Sequence, residues 1–144
     1  MNARQMWEEY SLREGIEAAY EAWQYGDDAD LLARLTLSGK KTATASAYPL
    51  YELEGCPLPR VGEYSVILDS REEAVCIIRT ERVFVIPFSQ VDDVHARKEG
   101  EGDLSLSWWR RVHEDFFSRE MEEAGLEFDW QMNVVCEEFI RVFP

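Results

Sequence analysis

The chain reads as an α+β protein, a mixture of strands and helices without regular alternation. Two observations predict this class. Short stretches of period-two patterning or β-branched residues mark five or six strands, at 20–25, 41–46, 64–68, 74–79, 80–86 and 132–143. The three or four segments of helical periodicity, at 4–14, 29–38, 89–98 and 105–124, do not follow the strand–helix–strand rhythm of a doubly wound sheet. With 144 residues, of which 46% are hydrophobic and 12% aromatic, the chain can bury a core of its own as one domain. A helical extension over 1–19 is expected to precede a core spanning 20–144.

Each element has a local cause. Met6, Trp7 and Tyr10 share one face of the first helix. The run Tyr20 to Tyr25 reads as a strand stopped by Gly26-Asp27-Asp28, and an aspartate there can cap the next helix, Ala29 to Ser38. Leu31, Leu32 and Leu35 form the expected apolar face of that helix, and Gly39 fits the left-handed position just past it. Lys41 to Ser46 alternates threonines as a short strand, followed by a loop or short helix. Cys56-Pro57-Leu58-Pro59 forces an extended connection and Val61-Gly62 a turn. Tyr64 to Leu68 and Ala74 to Arg79 pair across the turn Asp69 to Glu72, and Thr80 to Ile86 adds a strand that Pro87 helps to end. Ser89 is the expected cap of a short helix reaching Lys98. An acidic loop, Glu99 to Asp103, precedes a long helix in which Trp108, Trp109, Val112, Phe116, Phe117 and Met121 form a broad apolar stripe, with Gly125 as its stop. The alternation Val134, Cys136, Glu138, Ile140, Val142 reads as a closing strand.

Composition excludes several classes. No apolar run approaches the ~20 residues of a membrane span. The first ten residues carry charges in place of a leader's apolar core, so a cytoplasmic location is expected. Cys56, Cys76 and Cys136 are odd in number and widely spaced, which argues against a disulfide framework, and neither His95 nor His113 lies near a cysteine. No metal or other cofactor is expected, since the spacing of Glu99, Glu101 and Asp103 matches no calcium loop. Fifteen basic against 29 acidic residues leave a net charge of −14, a field that repels a polyanion. Long nucleic acid, DNA above all, is therefore a poor partner, and a short or neutral ligand a better one. Only three lysines occur, two of them adjacent, Lys40 and Lys41.

The segment Leu37-Ser38-Gly39-Lys40-Lys41-Thr42-Ala43-Thr44-Ala45 carries a Gly-x-Lys-x-x-Thr pattern. Around it stand Ala22-Trp23-Gln24-Tyr25-Gly26-Asp27, Leu58-Pro59-Arg60-Val61-Gly62 leading into Tyr64-Ser65-Val66-Ile67-Leu68-Asp69, Lys98-Glu99-Gly100-Glu101-Gly102-Asp103, Trp109-Arg110, His113, Phe116-Phe117-Ser118-Arg119-Glu120 and Val134-Val135-Cys136-Glu137. In this order and spacing, residues 20–143 resemble the ASCH domain family, and within it a larger bacterial subfamily. The resemblance implies a PUA-like mixed β-barrel of five to six strands surrounded by helices, with a cleft beside the motif. It also implies a link to RNA or nucleosides. Relatives are associated with two chemistries, cleavage of single-stranded RNA and amide hydrolysis on acetylated cytidine by a lysine, a threonine and a glutamate. By motif these map to Lys41, Thr44 and Glu99, and this chain is longer than those small hydrolases. A hydrolase of one of these two kinds is the expectation; a non-catalytic RNA or nucleotide binder and an acidic protein-interaction domain are the alternatives.

For such chemistry Thr44 is the candidate nucleophile, Lys41 its base, and Glu99 the group that orients the lysine or relays a proton. Lys40, Gly39, Trp23, Tyr25, His95 and Ser118 are the candidate substrate-binding residues. His113 reads as a packed helix residue. One geometric condition attaches to the catalytic set. On a regular strand Lys41 and Thr44 point to opposite faces, so they share a cleft only if Lys41 sits in the turn after Gly39 or the strand is distorted.

Overall fold

The structure, a computed structural model, describes residues 1–144. Helices α1 (Ala3–Glu14), α2 (Ala29–Ser38), α3 (Tyr48–Glu54), α4 (Asp93–Glu99) and α5 (Leu106–Glu123) surround five strands. These are β1 (Tyr20–Gln24), β2 (Ala43–Ala47), β3 (Tyr64–Leu68), β4 (Ala74–Pro87) and β5 (Asn133–Phe143), ordered β1-β3-β4-β5-β2 across one sheet. Only β1 and β3 run parallel; the other neighbours are antiparallel. The sheet curls into a half-barrel of the PUA-like kind, and its two edge strands, β1 and β2, do not pair with each other. A seam is left open between them. No helix is long and apolar enough to cross a membrane.

The segments 74–79 and 80–86, expected as two strands, form the single strand β4. Its register with β5 shifts between Thr80 and Arg82, which face Phe139 and Glu138, so Glu81 is an inserted residue. Such a bulge bends a strand and increases its twist, and here it lies within a strand that pairs with β3 over Ala74–Arg79 and with β5 over Ile77–Pro87.

Helices cover both faces of the sheet. Met6, Trp7 and Tyr10 of α1 pack on Val66, Ile77 and Phe143, while Leu32 and Ala33 of α2 pack on Ile67, Cys76, Ile78 and Phe139. Thr36 takes the inward place expected of Leu31, which is largely exposed, because the helix turns its Leu32–Thr36 edge toward Tyr25. Trp109, Phe117 and Met121 of α5 close a third cluster with Phe88, Val134 and Cys136, leaving Trp108 and Phe116 at its rim. The expected helix from Ser89 instead opens with a single 3₁₀ turn, Phe88–Gln90, and α4 starts only after Asp92, whose side chain accepts from the His95 amide. The alternation expected for β5 fails too: Val134 to Glu137 are buried on both faces and Ile140 is exposed, since this strand lies inside the sheet, between β4 and β2.

Candidate functional site

Lys41 is held in the turn between α2 and β2. Gly39 ends α2 in the left-handed conformation, and the amides of Lys40 and Lys41 both donate to the Leu35 carbonyl. Thr42 then donates its amide to the Lys98 carbonyl at 2.7 Å and accepts from the Phe139 amide, so the turn is clamped between α4 and β5. The regular strand starts at Ala43. Lys41 thus precedes the alternation, and both Lys41 and Thr44 line one small chamber of about 60 Å³.

The Lys41 ammonium is 1% exposed. It donates to Glu99 Oε1 at 3.2 Å and to Glu101 Oε2 at 2.7 Å, and lies 5.3 Å from the Tyr25 ring centre, where the ring's negative face attracts a cation. Glu99, equally buried at the end of α4, is the hub. Its Oε2 accepts from His95 Nε2 and Trp109 Nε1, both at 2.7 Å, and its Oε1 also faces His113 Nε2 at 3.4 Å. His113 donates Nδ1–H to the Trp109 carbonyl at 2.9 Å and stacks on the Trp109 ring at 4.2 Å.

The charges follow from this geometry. Burial acts to raise the Glu99 pKa, but the positive charges of Lys41 and His113 and the hydrogen bonds hold it well below the usual carboxylate range. For His113, burial acts against the imidazolium, yet the charge and hydrogen bond of Glu99, with the Glu101 charge and the Trp109 carbonyl, together outweigh it and the pKa is raised. Glu101 goes the opposite way from Glu99: burial and the Glu99 charge push it up against the pull of Lys41. Glu99, Glu101 and His113 bring ligand atoms within 4.8 Å of one another, as a metal site would. Their cation is already supplied, since Lys41 Nζ contacts both carboxylates.

Next to this chamber, in the open seam, lies a cavity of about 470 Å³. Its walls are Glu21, Trp23 and Gln24 of β1, Thr44 to Ser46 of β2, Tyr51 of α3, Pro57 to Pro59, Glu63, Ser65 of β3, Phe116 and Glu120 of α5, and Glu137 of β5. Tyr25, Gly26, Thr44, Ala45 and Phe116 belong to the walls of both spaces. Thr44 faces Glu137 directly across the β2–β5 ladder, and Glu137 accepts a hydrogen bond from Thr80 at 2.9 Å.

The family model of the ASCH domain matches residues 21–143. The chain belongs to the ASCH domain family. The ASCH domain from Lactobacillus crispatus JV V101 is 32% identical and superposes with a TM-score of 0.90 over 98% of this chain and 94% of that one. A protein of Enterococcus faecalis V583 is 31% identical, with a TM-score of 0.92 over 99% and 88% of the two chains. No curated protein matches significantly by sequence. ASCH domains are generally an RNA-binding family with a PUA-like fold.

Within this ASCH domain, Lys41, Thr44 and Glu99 come together around one chamber, and Trp23 and Tyr25 form aromatic walls. Four of the expected substrate-binding residues line neither space. Gly39 is spent on capping α2, and Lys40 points its exposed side chain to solvent. His95 is buried behind Glu99, and Ser118 follows Phe117 on the side of α5 turned away from the seam. Three contributors escaped the sequence reading. His113 reads from the sequence as a packing residue, Glu101 as part of an acidic loop, and Glu137 only as one of the residues that carry the resemblance. The signal for Glu137 was a carboxylate directly following the buried run Val134 to Cys136.

Proposed function

We propose that this ASCH domain is a hydrolase that cleaves an amide on a modified nucleoside, acetylated cytidine being the simplest example. The observation that carries this reading is the position of Thr44, shared by the walls of the aromatic cavity and of the lysine chamber. A base stacked against Trp23 and Phe116 would present a substituent to Thr44, with Lys41 on the other side.

In this reading Lys41 first passes a proton to Glu101. Glu101 fits that task better than Glu99, because it accepts from Lys41 alone and its pKa is raised, whereas Glu99 is saturated with donors. The neutral amine then takes the Thr44 hydroxyl proton as the oxygen attacks the amide carbonyl. Lys41, an ammonium again, stabilises the oxyanion and gives its proton to the departing nitrogen. The carbon–nitrogen bond breaks, the free amino base leaves, and water hydrolyses the acyl ester on Thr44.

Cleavage of RNA, the other chemistry of relatives, fits less well. No lysine, arginine or histidine lines the seam cavity, and the Lys41 charge is matched by two carboxylates, so no free cation awaits a phosphate. Three unpaired cysteines accord with a reducing compartment such as the cytoplasm. The test is turnover of acetylated cytidine and of labelled single-stranded RNA by wild type and Thr44→Val, with chelator present. Thr44→Val is preferred to a change at Lys41, which would leave two carboxylates without their cation. Loss of nucleoside turnover by at least about a thousandfold is expected. Cleavage of RNA that disappears in the variant would assign a nuclease instead, and inertness toward both substrates would leave a binding role.

A further inference from the structure

The seam cavity is negative as well as aromatic. Its wall contains Glu21, Glu63, Glu120 and Glu137 and no cationic side chain to balance them. Trp23 and Tyr25 stand edge to face, 85° apart with ring centres at 5.0 Å, so they form two walls of a box. Carboxylates set around aromatic faces are what an organic cation requires, because ring faces carry negative potential and a desolvated cation gains most from them.

Glu137 is the fixed member of this group. It is 8% exposed, and Thr80, itself 2% exposed, donates to its Oε2. Thr80 begins the bulge of β4, so the carboxyl is positioned by backbone on both sides. No group of the protein donates to Oε1, the oxygen left for a ligand. Its cross-strand neighbour is Thr44, which places this free oxygen on the same face of the ladder as the candidate nucleophile. Burial pushes the Glu137 carboxyl up, the Thr80 hydrogen bond opposes this, and the charges of Glu63 and Glu21 push it further. Burial does the same at Glu120. These shifts describe negative charge for which the protein provides no counterpart, and a bound cation would supply it.

We propose that the seam cavity selects a positively charged base, one alkylated or protonated on a ring nitrogen, and that Glu137 reads that charge. The proposal rests on the reading of the cavity as a nucleoside site, and goes beyond it by naming the charge of the base and the residue that determines it. A neutral base gains the stacking but leaves the carboxylates unmatched; a phosphate adds repulsion.

The test compares matched pairs at neutral pH by calorimetry, supported by the fluorescence of Trp23: cytidine with 3-methylcytidine, and adenosine with 1-methyladenosine. In each pair the methylated base is a cation of nearly unchanged shape. Wild type is expected to bind the cations about tenfold more tightly. In Glu137→Gln, isosteric but uncharged, the preference should drop to about threefold or less. Equal or tighter binding of the neutral partners would overturn the proposal and leave the nucleoside reading standing, and a preference that survives Glu137→Gln would overturn the role of Glu137. Nicotinamide and 1-methylnicotinamide repeat the comparison without a ribose. If only this pair binds and the cation is preferred, the charge selection holds and the nucleoside reading falls; if no cation binds, the proposal fails. Should Glu137→Gln not fold, Glu63→Gln combined with Glu120→Gln removes two half-exposed carboxyls of the same wall, and an unchanged preference there counts against the proposal.

Discussion

Glu99 keeps its charge in a fully buried place because Lys41, His95, Trp109 and His113 all face it, and each can be removed separately. Glu99→Gln keeps the shape and strands the Lys41 and His113 charges; the expected loss is roughly 3 kcal/mol in urea denaturation, and a loss under about 1 kcal/mol would contradict the hub role. The same substitution reports on His113. In the wild type its imidazole should titrate above the ordinary 6.5 by NMR, and in Glu99→Gln the value should fall. The sign for stability follows. A raised folded pKa means that the contribution of His113 is complete below about pH 6.5 and fades as pH rises through the folded value, so His113→Asn should flatten that part of the stability profile. Glu99 runs the other way, contributing above its unfolded pKa and losing that contribution only as acid reaches its depressed folded value. Glu101→Gln tests the proton acceptor proposed for catalysis. Turnover should fall by about a hundredfold or more while the melting temperature changes little, because Glu99 still neutralises Lys41.

At the scale of elements, the site depends on how closely α4 approaches the turn before β2. Gly100 ends α4 with φ +70°, and a methyl group on it would meet the Lys40 carbonyl oxygen at 2.2 Å and Lys41 Cα at 3.0 Å. Gly100→Ala should therefore separate α4 from the turn and pull Glu99 from Lys41. Gly55, with φ +66° and open space around it, is the control that isolates the backbone cost of about 1 kcal/mol. Gly100→Ala is expected to cost at least about twice as much and to lose turnover, and equal effects at both glycines would refute the close approach. Sequence patterns resolve the elements themselves well. The span of α2, its Asp28 cap and the Gly39 stop are local chemistry, read from neighbours within the helix. The sequence shows two strands, 74–79 and 80–86, where the structure has the single β4, because a bulge at Glu81 leaves no local mark by which the two halves could be joined. The phase of β5 was misjudged because periodicity assumes one buried face, whereas this strand lies inside the sheet.

For the whole molecule, the −14 charge and a cavity wall that holds carboxylates but no cationic side chain disfavour a polyanionic ligand. Binding of a neutral nucleoside should change little between low and physiological salt, since no phosphate counterions are released and no net charge is screened. Tight RNA binding with a log–log salt slope steeper than about −3 would show a cationic surface that the site lacks. The site was partly legible for the same reason as α2: Lys41 and Thr44 lie within one motif. Glu99 is reached through resemblance, whereas Glu137 and His113 stand in the segments that carry the resemblance without a role, because their roles arise from pairings between strands and helices far apart in the chain. Thr80 and Glu137, for instance, are 57 residues apart and meet only across the bulge.

The adjacent lysines have a consequence for amine chemistry. Lys40 is open to solvent while Lys41 is sealed by groups 58 and 60 positions further along. An acylating reagent should modify the first at the rate of a free amine and spare the second until the chain opens. One peptide then carries both a reference and a clock: its second acyl group would time the opening of the native state, with no probe added and no residue changed.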